Sequence, residues 1–319
     1  MSRASPSFRS LMHLPIPVPL ALLAVGGALL LAPTAAPQDP AAGAYGTTLR
    51  RALERAQADL ERSTDLASPP VSWERAYEVR SAHYLVRTTR SALLGRRIAN
   101  DLELMYEAFV KFFGTEPPSG TQFEVDIFPD LAAYNAFGEQ FGDLHSSRYG
   151  SFFATTAPTP CIATYDPANL GLLREWVTHS AVHQFLPACF RVEPPVWMSE
   201  GLASCFAQSW AYEYYAARYL ELVNTERFLP LTQLIGENLD NYDDRRFLEI
   251  GILFGYLIDY HESTCVVLDP ISDEVVEAPF RDMLRRLLRG ESVQSDPSYR
   301  VIRYPTQEFE DSFKSFELP

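Results

Sequence analysis

Residues 176–186 read WVTHSAVHQFL, and residues 195–203 read PVWMSEGLA. His179 and His183 are four apart in a helix that Asp166-Pro167 is predicted to begin and that ends near Leu186. Residues at this spacing share one helix face, roughly 6 Å between Cβ atoms, so both imidazoles can reach one metal ion. The pair alone is a weak signal, because a buried histidine face without a metal has the same spacing.

A carboxylate follows in the next predicted helix. Pro194-Pro195 precedes a helix predicted near Val196 to Gln208, and Glu200 lies in its second turn. Two histidines from one helix and a glutamate from the next are the ligands of a His₂Glu zinc site with an open fourth position. The sequence therefore gives His179, His183 and Glu200 as candidate metal ligands and Zn²⁺ as the candidate ion.

The two segments resemble the peptidase-MA-like gluzincins, which are thermolysin-like zinc metallopeptidases, many known only as an exported bacterial domain of unknown function. The family pattern is H-E-x-x-H-Q-F followed by W-L-S-E-G-L-A-E, and the corresponding stretches here are HSAVHQF and WMSEGLAS. The resemblance covers residues 77–319. It implies a zincin-like metallopeptidase fold, zinc at His179, His183 and Glu200, and a cleft that takes a peptide or protein.

Three positions depart from the family. Ser180 stands at the general-base position, where the family has a glutamate, and an alcohol cannot act as a base near neutral pH. Ser204 stands where the family usually has a carboxylate that fixes a ligand histidine, and losing such a partner typically costs about 10–100-fold in metal affinity or activity. Phe247 stands where the family often has a tyrosine. The sequence therefore assigns no catalytic residue with confidence.

Three functions remain open on these residues. The first is a non-catalytic, metallopeptidase-like protein that keeps the metal and the peptide-type cleft. The second is an active zinc metallopeptidase with a displaced general base, for which Glu175 and Glu193 are the acids to consider. The third is a structural exported protein with an empty site. Whether the chain is an enzyme stays uncertain, with the missing glutamate favouring a non-enzyme.

The order of predicted elements indicates an α+β fold. Period-two alternation predicts a strand over Tyr77–Thr89, and the next segments predict a strand at Phe123–Phe128 and a hairpin of 151–154 with 161–165. A long apolar stripe predicts a helix from Leu93 to Phe113, and a short helix follows at 129–141. The later helices are predicted at 166–186, 196–208, 211–223, 244–260, 279–289 and 305–317. Strands with a helix first and helices second are typical of α+β proteins.

The N-terminus indicates export. Arg3 and Arg9 precede the apolar stretch Leu20–Leu31, and small residues follow, which is the pattern of a signal peptide over residues 1–36. A membrane-spanning helix needs about 20 apolar residues, although an uncleaved N-terminal anchor remains the alternative. The predicted order is thus signal peptide, a tether and surface helix over 37–76, and one domain over 77–319, with an α/β part (77–165) and a helical part (166–319). A periplasmic or secreted location follows.

Charge and cysteine content limit the partners and the chemistry. The chain has 41 acidic and 27 basic side chains, a net charge of −14, and a pI near 4.9. This excess disfavours nucleic acid, and membrane contact beyond the signal segment, because phosphates repel it. In an oxidising compartment the four cysteines suggest disulfides. We predict Cys189–Cys205, since each follows a ligand position closely, with buried thiols as the alternative and Cys161 and Cys265 also available.

Overall fold

The computed structural model describes residues 71–141, 150–225, 228–235, 244–257, 266–268, 275–277 and 280–303, together with residues 309 and 313. The predicted signal peptide, most of the 37–76 segment and most of the helix predicted at 305–317 lie outside these residues. Within them, no helix has the length and apolar character needed to cross a membrane.

The α/β part is a mixed five-stranded sheet with two helices. Its strands are β1 (Tyr77–Arg80), β2 (Tyr84–Thr88), β3 (Phe123–Phe128), β4 (Ser151–Ala154) and β5 (Cys161–Tyr165), and its helices are α1 (Ala92–Phe113) and α2 (Leu131–Phe141). The strand order is β1-β2-β3-β5-β4. Strands β2, β3 and β5 are parallel, whereas β1 and β4 run antiparallel to their neighbours at the two edges. The predicted hairpin of β4 with β5 is confirmed.

The rest of the described chain is mostly helical. Its helices are α3 (Leu170–Cys189), α4 (Val196–Gln208), α5 (Tyr212–Asn224), α6 (Leu231–Leu234), α7 (Asp244–Gly255), α8 (Phe280–Leu288) and α9 (Pro297–Arg303). A small antiparallel pair, β6 (Val266–Leu268) and β7 (Val275–Glu277), lies between α7 and α8 in the chain. The predicted α+β class, with a mostly helical C-terminal half, is confirmed.

The single strand predicted over Tyr77–Thr89 is in fact a hairpin. The chain turns between β1 and β2, where the backbone N–H of Ser81 donates to the carbonyl of Tyr84 and its side-chain oxygen accepts from the Tyr84 N–H. The prediction was wrong because the turn has neither glycine nor proline, so the alternating pattern runs through it without a break.

The helix that carries both histidines begins later than predicted. Asp166 accepts a hydrogen bond from the N–H of Ala168, which adopts a positive φ of 56°. Asn169 is the N-cap, since its side chain accepts from the N–H of Leu172. Pro187 lies inside the last turn rather than after it, because the helix continues to Cys189. The stretch from 170 to 186, with both histidines, is helical as predicted.

An aromatic cluster fixes the two site helices next to each other. The ring of Phe109 on α1 lies 5.3 Å from that of Phe185 on α3 and 4.9 Å from that of Phe206 on α4, edge to face in both cases. Such pairs add to the stabilisation from burial alone. The cluster therefore holds α3 and α4 side by side, so that residues on their outer faces can meet.

Helix α4 approaches α7 so closely that a glycine is needed. A Cβ added at Gly201 would lie 2.2 Å from the ring of Phe254, which is fully buried and cannot move aside cheaply. We expect Gly201→Ala to lower the free energy of unfolding by about 1–3 kcal/mol, because the ring must shift within a packed core. Urea denaturation measures this change.

The matched control is Gly255→Ala at the end of α7, where an added Cβ would have no atom within 4 Å. There the stability should stay the same or rise by up to about 1 kcal/mol, since alanine is the better helix former. Equal losses in the two variants would contradict the close approach of α4 and α7.

The predicted Cys189–Cys205 disulfide is absent, because Cys161, Cys189 and Cys205 are all thiols. The short sequence distance from His183 to Cys189 and from Glu200 to Cys205 places both cysteines in one region of the fold. It does not set the direction of their side chains. Burial, together with the nearby carboxylate of Glu116, raises the pKa of Cys189 to about 12. Burial, with Asp126 close by, raises the pKa of Cys161 to about 12 as well. Cys265 lies outside the described residues.

Candidate metal centre

Helix α3 presents one stripe of residues to the sheet. Trp176, Ser180 and Gln184 are four residues apart and share a face. Trp176 packs so closely on Gly150 that a Cβ there would overlap the indole ring. The Ser180 hydroxyl lies 2.7 Å from that of Ser151 on β4, and the Gln184 amide donates to the carbonyl of Glu124 on β3 at 3.1 Å. These contacts fix the rotation of α3 about its axis.

With that rotation fixed, the two histidines face Glu200 on α4. Nε2 of His179 lies 3.2 Å from Oε2 of Glu200, and Nε2 of His183 lies 3.5 Å from Oε1 of the same carboxylate. The two Nε2 atoms are 3.3 Å apart. The structure thus brings together all three residues that the sequence gives as ligands, with their donor atoms converging on one point.

The spacing of these donor atoms suits a zinc ion. Zn–N and Zn–O bonds of 2.0–2.2 Å at tetrahedral angles place two ligand atoms about 3.3–3.5 Å apart. The two Nε2 atoms are 3.3 Å apart, and they lie 3.2 and 3.5 Å from the two different oxygens of Glu200. Taken one atom from each residue, the three ligand atoms lie within 4.8 Å of one another. Imidazole and carboxylate are also the ligands that zinc takes in open sites. The residues present therefore fit the ion that the motif implies.

The three groups are electrostatically coupled. Burial favours the neutral form of both histidines, and it lowers the pKa of His179. At His183 burial acts the same way, but the carboxylates of Glu200 and Glu193 outweigh it and raise the pKa. Burial would raise the pKa of Glu200, yet the two imidazoles hold it far below its ordinary range. Glu200 is therefore an anion, which is the form that binds a metal.

Ser180 is turned away from this centre. It is 1% exposed, and its hydroxyl meets that of Ser151. Ser151 in turn donates to the carbonyl of Trp176 at 2.6 Å. A hydroxyl has one proton, and Ser151 uses its proton on that carbonyl, so Ser180 must donate to Ser151. Ser180 is thus part of a buried link between α3 and β4.

Ser204 and Phe247 also lie close to residues of the triad. Ser204 follows Glu200 by one helical turn and is buried, and its hydroxyl has no hydrogen-bond partner among the described residues. The ring of Phe247, on α7, stands edge to face with the His179 ring at 5.6 Å between centroids. A neutral hydroxyl therefore lies one helical turn after Glu200, and an apolar ring lies against His179.

The two acids considered as substitute bases lie in different surroundings. Glu175 accepts a hydrogen bond from the hydroxyl of Tyr215 on α5, so its carboxylate is engaged between two helices. Glu193 is exposed in the connection between α3 and α4, and its charge acts on His183. Glu193 therefore acts electrostatically on a triad residue.

A buried polar network under α3 supports the centre. Arg174 forms an ion pair with Asp101 on α1, with Nε 2.7 Å from Oδ2, and its guanidinium lies 4.8 Å from the centroid of the Trp210 ring. The indole N–H of Trp210 donates to the hydroxyl of Thr178 at 2.6 Å, directly before His179. Sequence reasoning missed this network, as it missed Ser151, because no spacing pattern links residues so distant in the chain.

Comparison of the sequence with protein-family models found no match, and neither did a comparison with curated proteins.

Proposed function

We propose that the chain is an exported, zincin-like protein, similar to the gluzincins, that binds zinc at His179, His183 and Glu200 without hydrolysing peptides. In this proposal the metal and the peptide-type cleft serve binding or structure. The zincin-like fold is supported by the succession of a mixed sheet, a helix with two histidines, and a helix with the third ligand.

One observation carries the metal assignment. Nε2 of His179 and Nε2 of His183 lie 3.3 Å apart, and each lies within 3.5 Å of one carboxylate oxygen of Glu200 on the neighbouring helix. Without a metal ion, the two imidazole nitrogens lie 3.3 Å apart. At least one of them must then carry a proton, because otherwise the lone pairs of the two nitrogens point at each other and repel. Zinc relieves this opposition, because it accepts both lone pairs and the carboxylate oxygen at once.

The absence of hydrolysis rests on Ser180. Bound zinc would supply Lewis-acid polarisation and a lowered pKa of coordinated water. The chain itself must then take up a proton and deliver it to the leaving nitrogen. Ser180 cannot do so, since its own proton is committed to Ser151 and its hydroxyl is buried. Ser204 and Phe247 offer no charge or acid in its place.

The test of the metal site is zinc content. Protein purified without chelator and dialysed against equimolar Zn²⁺ should hold about one ion per chain, and His183→Ala should weaken the zinc Kd by at least about tenfold, because one of three ligands is lost. Elemental analysis and competition with a chromophoric chelator measure both quantities.

His83 provides the matched control. It lies on the β1–β2 turn and pairs with Glu103 at 2.6 Å, with no ligand position nearby in the chain. His83→Ala should leave zinc content unchanged. Equal, near-zero zinc in the wild type and in His183→Ala would refute the site.

The active-enzyme alternative keeps one supporting observation, the charge of Glu193 beside His183. On this alternative the exposed carboxylate moves inward when a peptide binds and takes up the proton. This alternative predicts that the wild type cleaves peptides. It also predicts that Glu193→Gln abolishes the cleavage without changing the zinc content.

A further inference from the structure

We propose that the outer edge of strand β1 is an interface between two copies of this chain, which pair through it as antiparallel strands. β1 is the edge strand of the sheet, and among the described residues β2 alone pairs with it. Tyr77, Glu78 and Arg80 on this strand are exposed, and Val79 is half-buried. The inference does not depend on the proposed metal centre.

The outer edge of β1 carries the backbone groups of Glu78 and Arg80. Where β1 turns into β2, the backbone N–H of Ser81 donates to the carbonyl of Tyr84 directly opposite. Hydrogen-bonded and non-hydrogen-bonded pairs alternate along an antiparallel ladder. Glu78 and Arg80 are therefore the two positions of β1 whose N–H and C=O groups point away from β2, where a further strand can bind them.

The charged side chains of this edge complement each other when the strand pairs with a second copy of itself. Glu78 and Arg80 lie on the same face of the sheet, because successive side chains of a strand alternate between faces. Arg80 donates to the neutral side-chain carbonyl of Gln122, a contact that leaves its charge unbalanced. With Glu78 of each copy opposite Arg80 of the other, two ion pairs form, and the outward backbone groups of both strands are bonded.

Charge also selects this register over its neighbours. A shift of one strand by two residues keeps the backbone bonding but places Glu78 opposite Glu78, or Arg80 opposite Arg80. Like charges directly opposite each other destabilise a sheet. Charges on edge strands commonly guard against pairing, but these two exclude only the shifted registers.

The other face of β1 supplies apolar contacts in the same register. Val79 faces α1, since its side chain lies against Gly95. In the proposed pair Val79 lies opposite Val79 of the second copy, at the closer spacing of a non-hydrogen-bonded pair. Tyr77, which is 37% exposed, is diagonal to that valine and within reach of it. Two strands of four residues bury less than the roughly 1,200 Å² of a stable interface, so the dimer is weak and reversible.

The test is the association state of the purified protein between about 5 and 500 μM. Sedimentation equilibrium is run in about 0.15 M salt, which screens the repulsion between two acidic chains beyond about 8 Å. We expect a monomer–dimer equilibrium with a Kd on the order of 100 μM. The amide protons of Glu78 and Arg80 should exchange more slowly at the high concentration. A monomer throughout, or a dimer that leaves these two amides unchanged, would overturn the proposal.

Charge exchange provides the matched variants. Glu78→Arg and Arg80→Glu each place like charges opposite each other and should raise the dimer Kd at least about tenfold. The two changes together restore opposite charges and should return the Kd to within about threefold of the wild type. Glu139→Arg changes the net charge as Glu78→Arg does, at an exposed position on α2, which packs on β3 and β5, and should leave the Kd unchanged. Equal association in all of these variants would show that another surface is used and would refute the β1 interface.

Discussion

Asp101→Asn is expected to lower the free energy of unfolding by about 3–5 kcal/mol, because it leaves the buried guanidinium of Arg174 without its counter-charge. The two side chains are 5% and 2% exposed and meet at 2.7 Å. Burial raises the pKa of Asp101, and Arg174 and Arg97 oppose that rise only in part. The pair therefore adds little net stability, yet removing one half exposes the full desolvation cost of the other. Chemical denaturation measures the loss.

Asp130 offers a matched control. It is an exposed aspartate whose side chain accepts from the N–H of Ala133 at the start of α2. Asparagine caps a helix about as well as aspartate, so Asp130→Asn should change stability by less than about 0.5 kcal/mol. A double replacement of Asp101 and Arg174 by leucine should cost less than Asp101→Asn alone, since no uncompensated charge remains. A loss for Asp101→Asn no larger than that of the control would contradict the buried pair.

Peptide cleavage should be restored by Ser180→Glu combined with Ser151→Gly, with a rate about 10²–10⁴-fold above that of the wild type. On the proposed function, the wild type has no group that accepts and returns the proton, so it should cleave only at the slow background of zinc-bound water. The Ser151→Gly change removes the hydroxyl that lies 2.7 Å from that of Ser180 and links position 180 to β4, so that a glutamate there can turn from the sheet toward the triad. Fluorogenic peptides, with zinc content matched across variants, measure the rates.

The control for this gain is Ser180→Gln with Ser151→Gly, which has the same size and no base. It should stay at the wild-type level. If both double variants are silent while zinc is bound, then Ser204 and Phe247 also limit the reaction, and the missing base is not the only loss. Robust wild-type cleavage that His179→Ala abolishes would instead show that a displaced base exists, with Glu193 as the first residue to replace.

Local sequence patterns were enough to predict many helices and strands of this protein. The long apolar stripe of α1, the hairpin of β4 with β5 and the α+β class follow from periodicity, because the side that a residue faces in a helix or strand depends on its neighbours in the chain. His179 and His183 share a helix face for the same reason. Glu200 was added because it lies on the next predicted helix and completes a His₂Glu ligand set, and its sequence context also resembles a known family.

Other features depend on contacts that no local pattern encodes. The β1–β2 turn has no glycine or proline, and the end of α3 includes Pro187, so local signals misplaced both boundaries. The Cys189 thiol lies near Glu116 rather than in a disulfide, because side-chain direction is decided by packing. The aromatic cluster and the Asp101–Arg174 pair that hold α3 join residues up to 97 positions apart.

From the sequence alone, His179, His183 and Glu200 are candidate metal ligands, and Ser180 directly follows the first histidine. Only the tertiary structure decided where Ser180 points, since this depends on how α3 is rotated against the sheet. That rotation is set by Trp176 on Gly150, by Ser180 on Ser151 and by Gln184 on β3. Helical spacing fixes the angles between residues on one helix, but the packing of that helix against distant strands fixes which residues face Glu200 and which face the sheet.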